Sequence, residues 1–265
     1  MRGALARRVL TERARGLAGW SLGLVAIVAL QVSVYPTIRD SQKGWSDLTE
    51  QFPEAFREIL RISDYTTPSG YLTTELFTFV LPFIFIGVGA AWGARSAAEE
   101  EENGTADVLL SLPVSRSSLL ATRVLTTWTV LAALGVLLTA SLVVGTSLVD
   151  MEVPVRRIVA GAVSLMLLGA VFDAVALLVG SLSGRRGVAL GASLGISLAA
   201  FVLYSLAPLV TTFDALLPSN PFQWTLGSRP LTDGLDAAYL TGATATIAVL
   251  AGLSFAAYSR RDVGA

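Results

Sequence analysis

Along this chain, apolar residues come in long runs separated by short polar segments. The runs do not alternate apolar with polar, so they are not strands with one buried face. Six are long enough to cross a bilayer as helices, at about residues 17–36, 72–94, 122–148, 158–182, 188–211 and 237–258. In lipid, only helices or closed barrels satisfy every backbone group, and non-alternating runs of this length predict helices. The expected fold is an all-α polytopic membrane protein, a single transmembrane domain over residues 1–265.

The polar segments carry their own pattern. In the first 17 residues, Leu5, Val9, Leu10 and Leu17 recur at helical spacing between arginines, which predicts an amphipathic helix at the membrane interface. The run after it is too long for a signal-peptide core, and no cleavage is expected. Between spans one and two, Leu48, Phe52, Phe56, Ile59 and Leu60 share one helix face. They predict an amphipathic helix near 46–64 with Pro53 at its start.

Composition sharpens the picture. Hydrophobic residues make up 53% of the chain and charged residues 15%, well under the roughly 25% of soluble domains. There is no Cys and no His, which removes thiolate chemistry and the commonest general base and metal ligand. Lys43 is the single lysine, preceded by Gln42 and followed by Gly44. A Walker A loop ending in Gly-Lys-Ser/Thr is therefore absent. No nucleic-acid partner is implied, and the bilayer is the evident one.

Orientation follows from basic residues. With the N-terminus inside, the inner side holds twelve: Arg2, Arg7, Arg8, Arg13, Arg15, Arg95, Arg116, Arg123, Arg185, Arg186, Arg260 and Arg261. The outer side holds seven: Arg39, Lys43, Arg57, Arg61, Arg156, Arg157 and Arg229. Both termini are expected in the cytoplasm of a cell-membrane protein.

Within the spans, Gly187, Gly191 and Gly195 form a small-residue ladder, with Gly180 and Ser183 read as its upstream extension. Such a ladder lets helices approach closely, within one chain or between two copies. Asp173 lies nine residues from Leu182 in span four. A charge there costs at least ~2.5 kcal/mol on insertion scales. With no basic residue expected at its depth, Asp173 reads either as interhelical glue or, with Pro82, as a candidate for the translocation path. Pro82 and Pro208 are expected to kink spans two and five.

The most heavily punctuated segment lies between spans two and three. Glu99, Glu100, Glu101 and Glu102 extend span two beyond the membrane, Asn103-Gly104 stops it, a short helix follows over about 106–112, and Pro113 closes that. Ser115 is placed to cap the next helix, which carries Arg116 and Arg123. The run Glu101, Glu102, Gly104, Thr105, Leu109, Leu110, Ser111, Leu112, Pro113, Val114, Ser115, Arg116 resembles the cytoplasmic segment of ABC-2-type permeases, the membrane subunits of ATP-binding-cassette exporters. The likeness extends to the basic N-terminus, six spans, long first outer loop and Arg260-Arg261-Asp262 tail, and includes half-size actinobacterial antibiotic and multidrug exporter permeases.

The resemblance implies a permease that moves a hydrophobic or amphipathic substrate outward. It also implies two separate ATPase subunits holding ATP and Mg²⁺, and a second permease copy, identical or related. Residues 99–116 are then the ATPase-coupling element, and Gly187, Gly191 and Gly195 lie at the interface between copies. An ATP-independent channel or secondary transporter, or an intramembrane enzyme, is the competing reading from the residues alone. A di-aspartyl protease needs a second intramembrane acid, and Glu75 lies near the outer boundary.

Overall fold

The computed structural model describes residues 14–41, 52, 65, 67–102 and 116–260. Among these there is no strand. Six helices are long and apolar enough to cross a membrane: span one Ala14–Asp40, span two Val80–Glu102, span three Arg116–Leu148, span four Val155–Ser183, span five Arg186–Leu206 and span six Ala237–Arg260. The expected amphipathic helices in the first 17 residues and near 46–64 fall, but for residues 14–17 and Phe52, outside the described residues.

Span four is the axis. Two-thirds (67%) of its most apolar stretch is buried within the protomer, against 17% for spans one and six. Spans two, three, five and six all pack on it, and span one leans on span three. Lipid offers little hydrophobic drive between helices, so close backbone approach must supply the attraction. Small residues provide that approach. A Cβ on Gly89 would strike the Gly169 carbonyl, and one on Gly169 would lie 2.8 Å from the Phe85 carbonyl oxygen. Ala90, Ala94, Ala176 and Ala189 then join spans two, four and five.

Three boundaries differ from expectation, each through local backbone chemistry. Span one runs through Pro36 to Asp40. Span two does not start at residue 72. A short helix Pro68–Leu72, capped by Thr67, leads into a π-helical turn, Thr73–Phe77, and span two begins at Val80. The Thr73 hydroxyl donates to the Ser69 carbonyl, and the Thr78 N–H and hydroxyl both donate to the Thr73 carbonyl. These bonds widen the turn. Pro82 therefore sits in the first turn of its helix, where a missing N–H costs nothing, and the irregular backbone lies just before it. Pro208 likewise ends span five, which stops at Leu206 and passes into a 3-10 turn over Ala207–Leu209.

The connection between spans five and six folds back into the protomer. Asn220 caps the short helix Pro221–Leu226 by accepting from the Phe222 N–H (2.9 Å) and donates to the Ala200 carbonyl (2.8 Å). Phe222 is fully buried among Phe83, Phe172, Phe201 and Tyr204. The sequence pattern assigns no element here, because a single buried aromatic has no periodicity.

Candidate coupling end and membrane interior

Spans two, four and five meet at the Glu102 end. Span four ends on Gly184, which is left-handed (φ 63°) and donates its N–H to the Gly180 carbonyl. Only Gly184 and Arg185 separate it from span five. The Glu102 carboxylate accepts from the backbone N–H of Arg186, the first residue of span five, at 2.7 Å. This satisfies one of the unpaired donors at a helix start with a charge that suits the helix dipole. Nearby, the Arg123 guanidinium on span three donates to the Ser96 carbonyl on span two (2.9 Å).

The acidic run Glu99, Glu100, Glu101, Glu102 is thus a helical continuation of span two. Arg116 opens span three. Gly104, Thr105, Leu109, Leu110, Leu112 and Pro113, with the Asn103-Gly104 stop, the short helix and Ser115, lie outside the described residues.

The glycine ladder faces away from the protomer. A Cβ on Gly187, Gly191 or Gly195 would meet nothing within 4 Å. The opposite face of span five, with Ala189, Ser193, Ser197 and Tyr204, is buried, and the Ser193 hydroxyl donates to the Phe172 carbonyl (2.8 Å). Gly180 and Ser183 do not extend the ladder. Both belong to span four, where a Cβ on Gly180 would come 2.9 Å from Ala97 and 3.5 Å from Ala189. Their sequence spacing matched the ladder, but the Gly184 turn breaks the helix between them.

Asp173 is 1% exposed and faces span two, where Gly93 leaves room for it. Asp173 Oδ1 is buried and has no hydrogen-bond partner. Pro82 is buried too, but about 16 Å of helix separates it from Gly93 and hence from Asp173. The structure does not bring these two residues together. One expectation needs correction: Arg95 falls inside the apolar stretch of span two, Val80–Ala98, only about 3 Å along the helix from Gly93. A basic residue does lie near the depth of Asp173.

At the opposite end, a polar cluster ties span one to the start of span two. The Glu75 carboxylate accepts from Tyr65 (2.7 Å) and from the Gln31 side-chain amide (3.1 Å). The Tyr71 hydroxyl donates to the Gln31 carbonyl (2.9 Å), and Tyr71 packs between Tyr35 and Tyr65. Burial first, then the Glu75 carboxylate, pushes the Tyr71 phenol up to about 12. Burial and the bond to Glu75 push Tyr65 up as well. Both phenols stay protonated donors at neutral pH. Sequence reading passed over Gln31, a lone amide in an apolar span, which was the available signal. No group of three or more metal-ligating side chains occurs among the described residues.

No curated protein sequence matches the chain. The family model described as ABC-2 family transporter protein matches residues 6–263, and the chain belongs to that family, as the membrane-embedded permease component of an ABC transporter.

Proposed function

We propose that this permease exports a hydrophobic or amphipathic substrate, such as an antibiotic, drug or lipid-like molecule, across the cell membrane. ATP is hydrolysed with Mg²⁺ on two ATPase subunits that dock at the Glu102 end. Family membership already implies an ATPase partner, and the chain has no Walker A loop of its own. Both termini and the segment 99–116 face the cytoplasm. A second permease copy packs on the face of Gly187, Gly191 and Gly195. Asp173 and Pro82 remain candidates for the substrate path.

The observation that supports this reading best is the bond from Glu102 to the Arg186 N–H. It joins the acidic end of span two, which leads into the coupling segment, to the base of the span carrying the glycine face. A push on that segment then reaches a transmembrane helix through one helix and one charge-assisted hydrogen bond.

Capture of the ATPase subunit over a salt series, with ATPase and export assays, tests the proposal. Neutralising Glu99 to Glu102 is expected to weaken capture in a salt-dependent way, because exposed charges are screened within about 10 Å at 0.1 M. Leu109→Asp is expected to abolish capture at every salt concentration, because an unpaired carboxylate buried in the partner's pocket costs several kcal/mol. The isolated permease is expected to hydrolyse no ATP. Normal capture and export by Leu109→Asp would refute the coupling role.

A further inference from the structure

The segment after Glu102 leaves span two and returns to span three at Arg116, so a push on it divides between two helices. Glu102 ties the end of the first helix to span five. Arg123, two turns into the second, ties that helix back to the first. Its guanidinium Nη1 donates to the Ser96 carbonyl at 2.9 Å. Ser96 lies six residues, ~9 Å, before Glu102, and Arg123 lies seven residues, ~10 Å, after Arg116. The bond therefore joins the two helices at matching depth.

Charge alone does not account for this placement. An arginine that only fixed topology would carry its head to water or to lipid phosphate. Arg123 is partly buried, and it turns to the carbonyl of a residue that is 5% exposed. Beside the bond, Ala97 of span two, Leu120 of span three and Leu177 of span four form one buried cluster, with Val124, Phe255 and Tyr258 packed against it. Apolar contacts of this kind hold helices side by side but fix their register weakly, because lipid competes for the same surfaces. A hydrogen bond from a charged donor to a backbone carbonyl fixes it better. The acceptor belongs to the helix itself and has no rotamer to change. Sliding one helix past the other by a turn, ~5.4 Å, breaks the bond.

We propose that Arg123 is a positioning residue for coupling. It locks spans two and three in register, so that both carry a movement of the segment between them, and none is lost as one helix sliding past the other. This role rests on the coupling function proposed above for residues 99–116. With the Glu102 bond, it gives the inner end of span two a tie to span three as well as one to span five.

Hydrogen–deuterium exchange of the permease–ATPase complex, with and without a non-hydrolysable ATP analogue, tests the role. In the wild type the analogue is expected to change amide exchange at least threefold in residues 99–116 and, in step, around Ser96 and Arg123. Arg123→Met, which removes the donors, is expected to keep the response of 99–116 and to cut the response around residue 123 to under a third. Arg123→Gln, whose side chain is two atoms shorter, is expected to do the same, and replaces the Met variant should that one fail to fold. Arg123→Lys, which keeps the charge and a donor, is expected to restore at least half of the response. A purely structural Arg123 would shift exchange equally in both nucleotide states and leave their difference unchanged, which overturns the proposal. Inverted labelling of a cysteine at Ser117 by an impermeant outside reagent in the Met and Gln variants, with Lys normal, would assign Arg123 to topology and also overturn it. A wild type with no nucleotide response across 99–116 would sink the coupling reading itself, and this role with it. A wild-type response that the Met and Gln variants reproduce in full overturns the Arg123 role alone.

Discussion

Single glycines in this protein differ sharply in what surrounds them. Gly89 and Gly191 both lie in transmembrane helices, and nothing local distinguishes them. At Gly89 an added methyl runs into the Gly169 carbonyl, while at Gly191 it meets open space. Gly89→Leu is expected to destabilise the protomer by more than the 1–3 kcal/mol typical of overpacking, because a carbonyl on the central helix cannot yield as a side chain can. Gly191→Leu is expected to leave the protomer melt unchanged and to weaken its pairing with a second copy. Thermal melting with light scattering of the solubilised protein reads both. A Gly191→Leu variant that keeps its full stoichiometry would remove the ladder from the interface.

For whole elements, what matters is how helix ends are tied. Helix starts carry unpaired N–H groups, and a carboxylate from another helix can satisfy one and join the two. Glu102 does so for span five. Glu102→Ala is expected to lower transport per ATP hydrolysed in the reconstituted complex while leaving ATPase capture near normal. Glu102→Gln, which keeps an acceptor oxygen, is expected to restore most of the coupling. Equal coupling ratios in wild type and Glu102→Ala would show that the bond transmits nothing. Proline read less reliably than glycine at this scale. Pro82 and Pro208 mark places where a helix begins or ends, and Pro36 passes within a continuous helix. A missing N–H signals an interruption, but neighbouring threonine hydroxyls and turn geometry decide its form.

Considered whole, the described residues set spans two, three, five and six around span four, with span one against span three. The orientation of the molecule in the bilayer is open to a simple assay, since the chain has no native cysteine. Cysteines at the exposed positions Ser117 and Ser259 are expected to resist an impermeant outside reagent, while one at Ser41 reacts. Ser96, though on the same side as Ser117, is 5% exposed and makes a poor probe. Reaction at Ser117 and protection of Ser41 would invert the topology.

The amino-acid sequence by itself determined the class, the number of spans and the family resemblance. The first two depend on the length and polarity of contiguous runs, which a bilayer reads directly, and the resemblance on the short motif from Glu101 to Arg116. It also made Asp173 conspicuous, because a carboxyl among apolar residues stands out without any partner being known. Tertiary structure alone decided which way each face points. Gly180 and Gly187 share a spacing, yet the Gly184 turn puts them on different helices, one packed inside the protomer and one open to its surroundings. The Gln31–Glu75–Tyr65 cluster, the burial of Phe222 and the bond from the Ser193 hydroxyl to the Phe172 carbonyl join residues distant in sequence. Such pairings have no signature along the chain, because helix rotation and crossing, set by the close contacts of Gly89, Gly93 and Gly169, bring them about.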